Sequence, residues 1–263
     1  MSGYADIFIA KGYGVLLPDS REHGESGGRV ATFGLLESDD VRRWASWVKE
    51  RSSGCMYVLG ESMGAAIAVQ AAAVTPGICA AAVEDPFARF RQEVYERLGH
   101  ETRLGTRFWR TAGWPVVQTA IEWAHFRYRV WLPDAAPASA IAHSSVPVLL
   151  MTGTADRNVP MHHAEDLEKI CGSRCALWVV PGADHGGIST KTGAEFGHRI
   201  LVWYQTHDLP GATPVLEYAN ADHMDESPRP ENSPIVGHIS SGTAAQRALG
   251  AHALLGGSIH LHR

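Results

Sequence analysis

The sequence predicts an α/β fold with a mostly parallel sheet covered by helices on both faces. Short, continuously apolar runs alternate with helical patterns along the chain, as at 14–19, 35–50 and 57–60. This alternation with short connections is typical of parallel strands joined by crossover helices. The apolar run at 57–60 leads into a helix of small residues, and a serine between two glycines lies at the junction.

The composition favours one domain with a substantial core. The chain has 263 residues, of which 45% are hydrophobic and 19% are charged, as in many single α/β domains. Its formal net charge of -5 provides no overall basic field to hold nucleic acid or anionic lipid, so we expect a small-molecule substrate. No apolar stretch is long enough to span a bilayer and no targeting segment opens the chain, which predicts a cytoplasmic protein. Its oligomeric state is not determined by the sequence.

The predicted elements follow from apolar periodicity and from glycines that end helices. In the helix at 35–50, for example, Leu36, Val41, Trp44 and Val48 recur at helical spacing. The strands are predicted at 14–19, 57–60, 79–83, 146–153 and 176–181, and the body helices at 1–11, 35–50, 65–74, 161–170 and 191–207.

Two segments depart from the alternation. Residues 87–137 are helical in pattern and crowded with aromatic side chains, which predicts a lid inserted over the strand ends. We expect most of these rings to pack the insertion onto the body and a few to line an apolar acyl pocket. Residues 210–263 have no sustained periodicity and are predicted to form a poorly ordered tail after a domain at 1–209.

The remaining cysteines and histidines suggest no further site. The cysteines fit neither a disulfide framework nor a common zinc pattern, so we expect buried or spare thiols and no metal, although the last two could meet across a loop. The cysteines are Cys55, Cys79, Cys171 and Cys175. For His162, His163 and His198, the simplest interpretation is an exposed surface position.

The serine between the two glycines has the pattern of a nucleophile elbow. Gly60, Glu61, Ser62, Met63 and Gly64 form G-x-S-x-G between a strand and a helix. The turn would force Ser62 into a strained backbone conformation, which requires small neighbours. The start of the following helix offers unpaired N–H groups to an anion at Ser62.

A base and an acid for this serine lie on loops after later strands. His185 follows the strand at 176–181, and Asp156 follows the strand at 146–153. Acyl transfer by a serine needs such a base and a group that orients it. Loops after parallel strands converge on one edge of the sheet, so we expect Ser62, Asp156 and His185 to meet there. Asp85 and Asp184 compete with Asp156 for the role of the acid.

The motifs DSREHGESGG, GESMG, TGTADRNVP and PGADHGG together resemble those of the serine α/β-hydrolases, in particular the lysophospholipase-like and serine-aminopeptidase-like branch with a helical lid. The resemblance covers about 3–209. It implies acyl hydrolysis without metal or organic cofactor, with Ser62 as nucleophile, His185 as base and Asp156 as acid. It also implies the N–H of Met63 as one oxyanion donor. His23 matches a family motif and is expected to be structural.

The resemblance also predicts that part of the family's sheet is missing. Three strands precede the first helix in the family, and the loop after the third carries the second oxyanion N–H. The third strand would lie between the strands at 14–19 and 57–60, so its loss would leave unpaired backbone edges. We therefore expect either a natural start upstream of Met1 or a fragment in which these two strands pair directly.

The function expected from these features is hydrolysis of a carboxylic ester, thioester or small amide through an acyl-enzyme on Ser62. A cofactor-free haloperoxidase-like activity would use the same residues. The alternative from a different class is a catalytically impaired fragment or binding remnant that lacks a complete oxyanion hole.

Overall fold

A computed structural model describes residues 2–208 and 235–239 of this chain. The strands are β1 (Gly14–Leu16), β2 (Met56–Glu61), β3 (Ile78–Glu84), β4 (Val148–Gly153), β5 (Cys175–Val180) and β6 (Ile235–Ile239). They form one sheet in the order β1-β6-β2-β3-β4-β5, and every neighbouring pair is parallel. The predicted parallel sheet is confirmed.

Helices connect the strands and cover the sheet. They are α1 (Ser2–Ile9), α2 (Glu37–Lys49), α3 (Met63–Val74), α4 (Phe90–Glu101), α5 (Thr106–Arg110), α6 (Trp114–Tyr128), α7 (Pro137–His143), α8 (His162–Cys171), α9 (Ile188–Thr192) and α10 (Ala194–Thr206), with short 3-10 turns at Leu132–Asp134 and Gly172–Arg174. No described helix is long and apolar enough to cross a membrane.

The core lies on both faces of the sheet, because side chains alternate along each strand. On one face, Val58 and Val83 pack with Ile67 of α3. On the other, Tyr57 packs with Phe8 of α1 and with α10. There Tyr204 stacks on Tyr57 with ring centroids 4.5 Å apart, and its hydroxyl donates to the carbonyl of Val58 at 2.9 Å. Through Phe8, helix α1 is packed against the centre of the sheet, and through Tyr204, so is helix α10.

Strand β6 fills the position between β1 and β2 that the sequence analysis predicts to be vacant. It pairs with both neighbours: Ile235 lies opposite Gly14 of β1 and opposite Met56 of β2. Direct pairing of β1 and β2 is therefore wrong for the described structure. The sequence analysis does not predict this strand within the tail at 210–263, because five residues are too few for a sustained periodic pattern. The two open strand edges supply its backbone partners. Residues 210–234 and 240–263 of the predicted tail lie outside the described residues.

The segment between β3 and β4 contains α4, α5 and α6, in the region where a helical insertion is predicted. Its aromatic side chains divide into two groups. Phe87, Phe90 and Tyr95 are buried, whereas Trp123 and Phe126 are exposed. Packing onto the body therefore accounts for only part of the aromatic content of this segment.

The expectation of buried or spare thiols is wrong. Cys55 is bonded to Cys79, and Cys171 is bonded to Cys175, so no described cysteine is free. The first bond joins the starts of β2 and β3, two strands whose pairing the sequence does not reveal. Disulfides persist mainly in oxidising compartments, which disfavours the predicted cytoplasmic location.

Removing the two disulfides should cost unequal amounts of stability. The Cys55–Cys79 bond spans 24 residues and the Cys171–Cys175 bond spans 4. In the chain-entropy account, the double change Cys55→Ala with Cys79→Ala lowers the free energy of unfolding by about 3 kcal/mol, and Cys171→Ala with Cys175→Ala by about 2 kcal/mol. Urea denaturation of both variants measures the difference.

The control is the non-reduced wild-type protein treated with a thiol-alkylating reagent, which should remain unlabelled. Labelling of all four cysteines under native, non-reducing conditions would contradict both bonds.

Candidate active site

Ser62 lies at a sharp turn between β2 and α3, as the elbow pattern predicts. Its backbone angles, φ 56° and ψ -116°, are ones that residues other than glycine rarely adopt. The turn brings strand and helix close together: a Cβ atom at Gly60 would lie 2.3 Å from the carbonyl oxygen of Gly64. The amide N–H of Ser62 donates to the carbonyl of Glu84 at 2.9 Å, which holds the turn against β3.

Ser62, His185 and Asp156 meet at the carboxyl edge of the sheet. Nε2 of His185 lies 2.8 Å from the Ser62 hydroxyl, and its Nδ1 lies 2.8 Å from Oδ2 of Asp156. The loops after β2, β4 and β5 each supply one member. The structure thus brings together the three residues that the sequence singles out.

The Asp156 carboxylate is fixed by its own loop. Its other oxygen, Oδ1, accepts the N–H groups of Asn158 at 2.7 Å and Val159 at 2.9 Å. The side chain is buried. These bonds leave Oδ2 directed at His185, which favours the tautomer with a proton on Nδ1 and a free lone pair on Nε2 facing Ser62.

A second carboxylate, Asp85, also faces His185. Its Oδ2 lies 3.5 Å from Nδ1 of His185 and accepts the N–H of Gly186 at 2.7 Å. Asp85 is buried, and its φ of 52° is unusual for a residue with a side chain. Asp184, the other competitor for the acid, is exposed. The sequence analysis treats Asp85 and Asp156 as alternatives, whereas the structure places both beside one imidazole.

Burial concentrates acidic groups around this imidazole and changes their titration. Burial, followed by the charge of Asp156, raises the pKa of Asp85 to about 7. Burial also raises the pKa of Glu84 and of Glu61. For His185, burial lowers the pKa, but the hydrogen bond and charge of Asp156 and the charge of Asp85 raise it above its usual value.

The other predicted site residues lie close to Ser62. Met63 is the first residue of α3, where helix N–H groups lack intrahelical partners and the helix dipole favours an anion. Glu61 ends β2, and its carboxylate lies against the backbone of Gly186. His23 is buried in its own loop, where its Nδ1 lies 2.8 Å from the carbonyl oxygen of Arg21.

A second cluster joins α4 to α8 through His163. This histidine is fully buried, so the expectation of an exposed position is wrong. Its Nε2 lies 3.4 Å from Glu93 and 3.2 Å from Glu96. The N–H of Ala88 is directed at its Nδ1 at 3.2 Å, which places the ring proton on Nε2. A metal ion would need the lone pair at Nε2, so a proton on Nε2, facing the two carboxylates, opposes metal binding there.

Comparison with known proteins shows the family to which this chain belongs. A model of the alpha/beta hydrolase family matches residues 3–196. The chain belongs to the alpha/beta hydrolase family. Over 193 residues it is 30% identical to the uncharacterized protein YqkD of Bacillus subtilis, covering 72% of this chain and 61% of YqkD. The chain therefore spans about three fifths of the length of this relative.

Two solved structures share the fold of this chain. The Pyrococcus furiosus esterase Pf2001 superposes with a TM-score of 0.62 at 21% identity, covering 79% of this chain and 76% of the esterase. The putative non-heme bromoperoxidase BpoC of Mycobacterium tuberculosis gives 0.51 at 15% identity, covering 72% and 80%.

The buried Asp85 should cost stability above neutral pH. An unfolded aspartate ionises near pH 4, whereas Asp85 in the folded protein ionises near pH 7. The folded state therefore loses stability as the pH rises from about 4 to about 7, and the full cost remains above that range. Asp85→Asn should raise the free energy of unfolding at about pH 8 by on the order of 1 kcal/mol or more, and the gain should vanish near pH 4.

Urea denaturation at several pH values measures this effect. Asparagine keeps the shape of the side chain, can accept the Gly186 N–H and tolerates a positive φ. Asp184→Asn is the matched control at an exposed carboxylate in the neighbouring loop. A gain for Asp85→Asn that is the same at both pH extremes would refute the proposed cost of ionisation.

Proposed function

We propose that this chain is a serine hydrolase that cleaves a carboxylic ester, or a related thioester or small amide, through an acyl-enzyme on Ser62. The observation that carries the proposal is the continuous hydrogen-bonded series from Ser62 through His185 to Asp156, with 2.8 Å at each step. The relation to the Pyrococcus furiosus esterase concerns the fold, so the activity is argued from the site itself.

In the first half-reaction, Ser62 Oγ attacks the acyl carbon while Nε2 of His185 takes the hydroxyl proton. The carbonyl π electrons move to the oxygen, and the N–H of Met63 at the start of α3 donates to the resulting oxyanion. When the tetrahedral intermediate collapses, the bond to the leaving group breaks and His185 returns the proton to that group. The acyl group remains bonded to Ser62.

In the second half-reaction, water attacks the acyl-enzyme and gives its proton to His185. Collapse of this intermediate releases the carboxylic acid and returns the proton to Ser62 Oγ. Asp156 orients the imidazole in both halves and stabilises its protonated form. Asp85, 3.5 Å from the same nitrogen, adds a second negative charge when it is ionised.

Replacing the nucleophile should remove turnover without harming the fold. Ser62→Ala is expected to lower the rate of p-nitrophenyl ester hydrolysis by about 10⁴-fold or more, because no covalent intermediate can form. Measurements use the purified 263-residue chain with short and medium acyl esters. Ser46→Ala, which removes an exposed hydroxyl bonded to its own helix, is the control and should retain full activity.

A fluorophosphonate probe separates the proposed hydrolase from a binding remnant. An assembled site labels wild-type protein at Ser62 and leaves Ser62→Ala unlabelled. A folded wild-type protein with neither labelling nor turnover would support the impaired fragment. Turnover that persists in Ser62→Ala would instead refute the assignment of Ser62.

Asp156 and Asp85 should affect the pH profile differently from the exposed Asp184. Because His185 must be unprotonated to act as base, kcat/KM should rise through the pKa of His185, which lies above its ordinary value. Asp156→Asn removes the hydrogen bond and charge that raise this pKa, so the rise should move to lower pH while kcat falls by about 10²–10⁴-fold. Asp184→Asn should change neither quantity. A kcat that is unchanged in Asp156→Asn but falls in Asp85→Asn would transfer the role of orienting acid to Asp85.

A further inference from the structure

Helix α6 carries two apolar faces, and only one of them is buried. Val117, Ile121 and Ala124 recur at spacings of 4 and 3 residues and face the protein interior. Val116, Trp123 and Phe126, at spacings of 7 and 3, form a different stripe along the helix. This second stripe is exposed, at 63%, 52% and 72% of the respective residue surfaces.

Three further apolar residues of the same segment are exposed. Leu104, Phe108 and Trp114 are also exposed, and they lie in the turn before α5, in α5 and at the first residue of α6. We call this region the outer insertion surface, made of Leu104, Phe108, Trp114, Val116, Trp123 and Phe126. Clustered exposed apolar residues of this kind mark interaction sites rather than ordinary protein surface.

The same segment is strongly basic although the whole chain is acidic. Within 103–129 there are five arginines and one acidic residue, Glu122, so the segment carries a charge of about +4, against -5 for the chain. All five arginines are exposed, and no ion pair joins any of them to another described residue. They are Arg103, Arg107, Arg110, Arg127 and Arg129.

Aromatic and basic side chains are interleaved on this surface. The guanidinium of Arg129 lies 5.9 Å from the ring centre of Phe126, and that of Arg127 lies 5.2 Å from the ring of Tyr128. Exposed tryptophan and phenylalanine beside arginine are characteristic of helices that lie in the interface of a bilayer, where rings enter the acyl boundary and cations meet lipid phosphates.

We propose that the outer insertion surface docks this protein onto an anionic lipid surface. The charge also argues against the obvious competitor, a second copy of the chain. A two-fold symmetric contact through this surface would bring its arginines against the same arginines of the partner. Such like-charge contacts oppose association, whereas anionic headgroups neutralise them.

This docking would hold the segment that follows Asp85 of the proposed active site against a source of acyl chains. Asp85 directly follows β3, and α4, α5 and α6 lie between β3 and β4. Lipid binding itself requires no hydrolysis, so the inference goes beyond the proposed function and can be tested without it.

The test is co-sedimentation of the full chain with phosphatidylcholine vesicles that contain or lack phosphatidylglycerol. We expect binding to the vesicles with phosphatidylglycerol, a blue shift of tryptophan fluorescence on binding, and loss of binding as the salt concentration rises. Ser62→Ala should bind as the wild-type protein does, which separates docking from catalysis.

Two sets of variants distinguish this surface from any other. The pair Trp123→Ser with Phe126→Ser should weaken vesicle binding at least 10-fold. The pair Arg127→Gln with Arg129→Gln should weaken it about 30-fold, from the usual contribution of each arginine near an anionic membrane. The matched control is Trp47→Ser: Trp47 is 49% exposed and also has an arginine over its ring, but it lies on α2. It should leave binding unchanged.

Several results would overturn the proposal. These are no binding to anionic vesicles, equal binding to neutral vesicles, or an equal loss of binding in the Trp47 control. Sedimentation velocity without lipid addresses the competing occupant. A wild-type dimer that dissociates on Trp123→Ser with Phe126→Ser would assign the surface to self-association instead.

Discussion

The close approach of β2 and α3 at Gly60 and Gly64 is the constraint on which the site depends. Because no Cβ fits at Gly60, the helix starts directly against the strand, and Ser62 is held in a conformation that an isolated chain would avoid. The Ser62 N–H bond to Glu84 ties this turn to β3. Since the sheet is parallel, the loops after β4 and β5 reach the same edge, and His185 and Asp156 need only short loops to meet the serine.

The site also concentrates negative charge around one imidazole. Asp85 and Asp156 lie on the same side of His185. Burial raises the pKa of two further acidic side chains near them, Glu84 and Glu61. Such crowding opposes folding but favours a protonated imidazole, which is the state that the proposed reaction creates transiently. Stability lost at this edge of the sheet is therefore consistent with a function there.

The insertion between β3 and β4 has two distinct surfaces with different physical roles. On its inner face, Ala124 joins the main core, and Val117 and Ile121 form a smaller buried cluster with Tyr95 of α4. Its outer face exposes large apolar side chains beside arginines that have no acidic partner among the described side chains of the insertion. Burial of apolar side chains explains the first face but not the second. The separation allows one helix to serve both the fold and the proposed contact with lipid.

The sequence by itself determined the parallel α/β architecture and the local environment of each principal site residue. Apolar runs and helical periodicity are local patterns, and the glycines around Ser62 specify a turn that only small residues permit. Tertiary structure decided which distant groups meet. Pairing of Cys55 with Cys79 and burial of His163 between two glutamates depend on neighbours far away in sequence. The same holds for Asp85, which lies beside the same ring nitrogen of His185 as Asp156, and for Ile235–Ile239, whose strand pairs with the open edges of β1 and β2. Local patterns carry no information about such contacts, because their energies arise only when the chain is folded.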